Sequence, residues 1–222
     1  MMKDREETGM RKKNMRIVLV LTIAALMALM TAGCGKQEVT PRQTADRFLD
    51  ALQSQDQDVL KKVYAGGSVN LKESLQGQKD DAGADEIEDE TLKLLTEKLL
   101  DFSYRTSDEK IDGDNATVKV KITTYSFGNA FRDFVTDYMS QGMSLAMSGA
   151  SEEKLSKLAN TLLQKHLKKL TKKDFEKTVT LSLKRKDGQW IVQKLDKDSA
   201  FVDAVCGGLI TTFTQYANQL GQ

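Results

Sequence analysis

The sequence predicts an α+β fold in which helices pack on one face of a curved antiparallel sheet. Three observations point there. From residue 41 the apolar positions recur at helical spacing, whereas in two later stretches they alternate residue by residue. Each alternating stretch contains a turn signal, "DGDN" at 112–115 and Asp187-Gly188. With 40% hydrophobic residues and only two cysteines in 222 residues, packing and not a disulfide framework has to supply the stability.

The first helix is expected over 41–54. Thr40 suits the N-cap, Pro41 the first helical position, and Gln43 completes a capping box, with Ala45, Phe48, Leu49 and Leu52 on one stripe. A second, over 56–64, carries Val59, Leu60, Val63 and Tyr64 and stops at Gly66-Gly67. The acidic run "DDAGADEIEDE" at 80–90 lacks the ligand order of a calcium loop and reads as solvated surface. A third helix over 89–101 follows, with Leu92, Leu95 and Leu99 on one face and Leu94 beside them. Then the period changes to two. Strands at 102–111 and 115–127 should form a hairpin with Ala116, Val118, Val120 and Ile122 facing inward and Thr117, Lys119, Lys121 and Thr123 outward. Residues 128–172 return to helical spacing in two pieces broken near 148–151, with Ser151 placed to cap the second. A second hairpin turns at Asp187-Gly188, from a strand carrying Phe175, Val179, Leu181 and Leu183 into "QWIVQKL". One amphipathic helix over 199–220 is expected to close the chain, with Phe201, Val205, Leu209, Phe213, Tyr216 and Leu220 on its apolar face.

The N-terminal part has a different character. Ile17 to Met30 is a run of fourteen uncharged residues. As a helix it rises about 21 Å, short of the hydrocarbon layer of about 30 Å. Arg11, Lys12, Lys13 and Arg16 precede it and Thr31, Ala32 and Gly33 follow, which are the parts of a secretory signal. The small residues run directly into Cys34. Met30-Thr31-Ala32-Gly33-Cys34 resembles the bacterial lipobox, with Thr31 where Leu is commonest. That resemblance implies a diacylglycerol on the Cys34 thiol and cleavage just before it. The chain therefore divides into a lipoprotein signal peptide (1–33), a short lipidated tether (34–40) and a domain (41–222), held at the extracytoplasmic face of the cell membrane by lipid on Cys34. Its other cysteine, Cys206, lies in apolar "FVDAVCGGLI" and reads as an inert thiol.

Charge argues against one class of partner. The first 33 residues hold six basic and three acidic residues, leaving 27 basic and 29 acidic of the totals of 33 and 32, a net −2. No concentrated basic surface remains for nucleic acid.

The segments "TADRFLDALQSQDQDVLKKVY", "DGDNATVKVKITTY" and "LKRKDGQWIVQKL" resemble the NTF2-like, cystatin-like lipoproteins of Gram-positive bacteria, many of unknown function. The resemblance covers most of 41–196. It implies a helical hairpin and a sheet that closes into a cone. The helices of 128–172 and the C-terminal helix would be additions able to plug or cap that cone. No catalytic motif of the family matches, so no catalytic residue is carried over.

Chemistry has few other footholds. His166 is the only histidine and reads as a helix-edge residue, with no second histidine to complete a metal site. Asp50 or Asp101 would serve as a base if the cone enclosed one of them. Met139, Met143 and Met147 stand four apart and continue a line from Phe127, Phe131 and Val135. Core packing is the first reading of that line. A flexible Met-rich stripe for a partner or apolar ligand is the second, and soft-metal ligation the third. The function expected from all this is a lipid-anchored binding or protein-interaction module of the cell envelope, with an envelope protein or a small apolar ligand as partner. It needs no cofactor or metal and is not expected to be an enzyme. A small cone enzyme of isomerase or dehydratase type is the alternative.

Overall fold

A computed structural model of the chain describes residues 38–71, 73 and 87–220. Cys34, the apolar segment before it and most of the acidic run lie outside the described residues. The chain divides into two units, Met1–Val39 and Thr40–Gln222, and the second holds the sheet and the helices packed on it.

Helix α1 (Pro41–Ser54) starts at the expected capping box: the Thr40 hydroxyl accepts from the Gln43 amide and the Gln43 side chain accepts from the Thr40 amide. Gln55, at φ +55°, ends it, and Asp56 caps α2 (Gln57–Val63) through the amides of Asp58 and Val59. Helix α3 (Asp89–Leu100) leads into β1 (Ser103–Asp112) and β2 (Asn115–Thr124). Two long helices, α4 (Phe127–Met147) and α5 (Glu152–Lys169), separate β2 from β3 (Phe175–Lys186). Asp187 (φ +51°) and Gly188 (φ +77°) form the tight turn to β4 (Gln189–Val192). The described chain closes with α6 (Ala200–Val205) and α7 (Leu209–Leu220).

The strands form one antiparallel sheet in the order β1-β2-β3-β4, so the fold is α+β as the pattern of periods predicted. Register puts Val118 opposite Leu181 and Val120 opposite Val179, which gathers the apolar residues of both strands on one face. Phe48 of α1 lies over that face between Tyr64 and Phe201, with ring centroids 5.1 and 5.8 Å away. The inner face is therefore filled by side chains from α1, α2 and α6. A second, smaller core joins Leu99, Tyr125, Phe127 and Leu167 beneath the helical layer.

Three expectations need correction. The closing helix is two helices: the sequence keeps its apolar spacing, but Gly207 (φ +53°) and Gly208 (φ +77°) turn the chain between them. A Cβ at Gly207 would run into the Tyr125 carbonyl oxygen, so the turn is also a point of close approach. Strand β1 lacks a full dry face, since only Thr106 is buried. It is an edge strand with a register irregularity between Ser107 and Lys110, beyond which Ile111 is exposed. Ser151 sits at the N-cap of α5 but makes no capping bond with its side chain, and Glu152 and Glu153 alone complement that helix end.

Candidate functional site

The line of residues singled out along α4 runs from core to solvent. Phe127 is 3% exposed, Phe131 and Val135 are half-buried, and Met139, Met143 and Met147 are 57%, 61% and 84% exposed. Core packing is thus not what the three methionines do. The reason lies in the drift of the line: at about 100° per residue each step of four turns it a further 40° or so, and it therefore leaves the side of α4 on which Phe127 is buried. There Phe131 packs against Phe213 and Tyr216 of α7, at 6.1 and 6.2 Å between ring centroids. On the α5 side the Asp137 carboxylate accepts from Lys165 Nζ at 2.8 Å and lies 3.0 Å from His166 Nε2.

His166 is consequently buried and not at a helix edge. It joins α5 to α4 through Asp137, whose carboxyl is held below the usual range first by Lys165 and then by His166. A partner 29 residues away could not be read from the local pattern. Beside it a cleft of about 270 Å³ is lined by Ser126, Asn129, Asp133, His166 and Lys169.

Aromatic residues gather where α4 meets α7. Phe134 stacks on Tyr138 at 5.9 Å, and the Tyr138 ring lies over Gly142. Phe213 on α7 is 59% exposed. Large apolar side chains thus face solvent on both helices, the three methionines on α4 and Phe213 on α7.

A second place gathers polar groups. Asp203, buried on α6, accepts from Lys177 Nζ at 2.8 Å, from the Thr211 hydroxyl at 2.8 Å and from the Thr211 amide at 2.9 Å. Burial alone would push this carboxyl up, but the Lys177 ammonium and both Thr211 bonds outweigh it and hold the group below its usual value. Asp203 therefore ties β3 to the start of α7. With Arg132, Glu176 and Gln215 it lines a cleft of about 410 Å³. Chemically this carboxylate is a fixed anion with three of its roughly four acceptor sites used.

The other sequence candidates fall elsewhere. Asp50 and Asp101 are exposed and neither is enclosed by the sheet: Asp50 accepts from the Tyr104 hydroxyl at 2.6 Å, and Asp101 from the Tyr125 hydroxyl at 2.6 Å and from Lys173. Cys206 is half-buried against the second core, and burial, helped by Asp203, pushes its thiol up to about 11. Among the described residues there is no cluster of His, Cys, Asp and Glu that would hold a metal ion, and no helix long and apolar enough to cross a membrane.

Comparison with known proteins adds a family but not an activity. No curated protein matches the chain. A crystal structure from Bacillus subtilis, provisionally described as a lipoprotein (ycdA), is 21% identical, covering 74% of this chain and 57% of that one, with a TM-score of 0.38. The chain thus spans little more than half the length of that protein. Residues 43–210, from the first helix to the start of the last, match the profile of DUF5105, a domain of unknown function, and the chain belongs to that family.

Proposed function

We propose that this protein is a lipid-anchored module on the extracytoplasmic side of a bacterial cell membrane that works by binding another envelope protein, not by catalysis. The observation that carries this reading is the exposed surface of α4 and α7. Met139, Met143 and Phe213 stand more than half exposed on helices whose first residues, Phe127 and Leu209, are held in the second core. Apolar side chains left in water on a rigid element cost solvation that a partner would relieve. Anchoring is supported by the sequence around Cys34, where a charged start, an apolar run and small residues lead directly into the thiol. Nucleic acid finds no basic surface to meet.

The alternative of a small cone enzyme has less support. Phe48 and Phe201 fill the face over which a cone would hold substrate, and the buried carboxylate of Asp203 is taken up by Lys177 and Thr211. A general base needs a pKa near the working pH, and this group is moved away from it.

The test is capture from native membranes by the full-length protein, with Phe213→Glu beside wild type and Cys34→Ala as the anchoring control. The wild-type chain should incorporate a fatty-acid precursor and retain a defined set of envelope proteins. Phe213→Glu should keep the label and lose the proteins, and Cys34→Ala should lose the label. Retention of the same proteins by Phe213→Glu would refute the surface, and a free Cys34 thiol on mature wild-type protein would refute the anchor.

A further inference from the structure

The methionine ridge is symmetric about its middle residue. Met139 and Met147 stand four residues either side of Met143, so reversing α4 about Met143 superimposes the ridge on itself. The row beside it is Thr136, Ser140, Ser144 and Ser148, all exposed and all small. On the other side lie Gly142, buried beneath the Tyr138 ring, and Ala146. A raised row of three long flexible side chains is thus bordered on its serine side by a trough that would admit another such row.

Charge narrows what would lie there. No Asp, Glu, Lys or Arg occurs from Tyr138 to Ser151 or from Ala204 to Leu220, in a chain that is 29% charged. Helices that lie in a lipid interface carry Lys and Arg along their flanks, and this one has none in its distal half. A contact with a second copy imposes the opposite requirement. Across a two-fold axis residue i meets j while j meets i, and a residue on the axis meets its own copy, so a charge close to the axis would face its own sign. An uncharged, self-complementary ridge satisfies that requirement.

We infer that α4 pairs with α4 of a second copy, antiparallel, with the two-fold axis near Met143. Met139 of one copy then lies near Met147 of the other, and the methionines of each enter the serine trough of its partner. Rows of i±4 spacing on both helices interdigitate at a crossing angle of about −50°. The inference rests on the reading of this surface as an interaction site and narrows part of it to self-association, while Phe213 and Tyr216 on α7 stay outside the ridge. Attachment of both copies to one membrane would raise their effective concentration, so a small contact suffices.

The test is disulfide trapping of the full-length protein in its own membranes, using Met143→Cys with mild oxidant and a non-reducing gel. Lys119→Cys, on the outer face of the sheet, reports random collision, and wild type reports the half-buried Cys206. Met143→Cys should shift to twice the monomer mass and the two controls should not. Met139→Cys and Met147→Cys, co-expressed with different tags, should join to each other in preference to themselves. Three outcomes would overturn the pairing: no more dimer from Met143→Cys than from Lys119→Cys, equal self-linking at all three positions, or linkage to a different protein. Shielding of Met143→Cys from an aqueous maleimide without any dimer would overturn it as well, and would assign the ridge to lipid or another protein. Capture lost by Phe213→Glu while trapping fails leaves the binding role standing and removes only the dimer.

Discussion

Truncating the line of residues along α4 one at a time should give a falling series of stability losses. A Met side chain fully withdrawn from water contributes about 1.5–3 kcal/mol. Met139 and Met143, at 57% and 61% exposed, keep less than half of that, so each change to Ala should cost about 1 kcal/mol. Met147, at 84% exposed, should cost only about 0.3–0.5 kcal/mol. The higher helix propensity of Ala offsets a few tenths of these amounts. Phe127, on the same helix but 3% exposed, should cost about 3–5 kcal/mol when cut to Ala. Urea unfolding followed by Trp190, which is buried on β4 beneath the Arg185 guanidinium, reads the series directly. The protein should be dilute enough to keep copies apart, and an unchanged m-value would show that only stability moved. Losses above about 2 kcal/mol at all three methionines would return the ridge to the core and remove the basis of the binding surface. A cost below about 1 kcal/mol for Phe127→Ala would show that the inner end of α4 is not packed as described.

Two further outcomes are expected at the polar groups. Asp203→Ala leaves the Lys177 ammonium and the Thr211 amide without their acceptor and should cost about 3–5 kcal/mol at neutral pH. Because the folded carboxyl is held below its usual value near 3.8, its contribution is complete above about pH 4 and is lost as pH falls through the folded value. The gap between wild type and Asp203→Ala should therefore narrow in acid, and a gap that widened would contradict the assignment. Cys206, with its thiol pushed up to about 11, should alkylate far more slowly at pH 8 in the folded protein than in urea. Equal rates would mean the thiol is not shielded.

What could be read from the sequence was whatever local chemistry decides. Thr40, Pro41 and Gln43 form the helix start they spell, because a capping box involves only neighbours along the chain. The alternation of β2 held because burial on one side of a strand leaves a period of two. Gly207-Gly208 was legible in principle. The apolar spacing on either side continued through the pair and concealed a turn that its positive φ angles make sharp. The pairings of Asp203 with Lys177 and of His166 with Asp137 join separate elements and leave no trace in any short window. Periodicity placed Met139, Met143 and Met147 on one side of a helix but could not say what, if anything, covers that side. The answer depends on which sides of α4 are covered by α5 and α7, which tertiary packing decides.

The insertion of α4 and α5 between two neighbouring strands bears on how the chain reaches its fold. Strand β2 finds β1 across a two-residue turn, but Lys119 pairs with Thr180 about sixty residues further on. Closing so long a loop as random coil slows the search, since non-local pairing must be reached before it is rewarded. Two helices of 21 and 18 residues that form locally shorten the flexible part of that loop and turn the chain back on itself. The order this implies is β1–β2 and the α4–α5 hairpin early, with β3 and β4 docking last. Until they dock, the inner row of β2, from Ala116 to Ile122, stands bare along one edge. A nascent chain would pass through that state before Val179 and Leu181 arrive beside it.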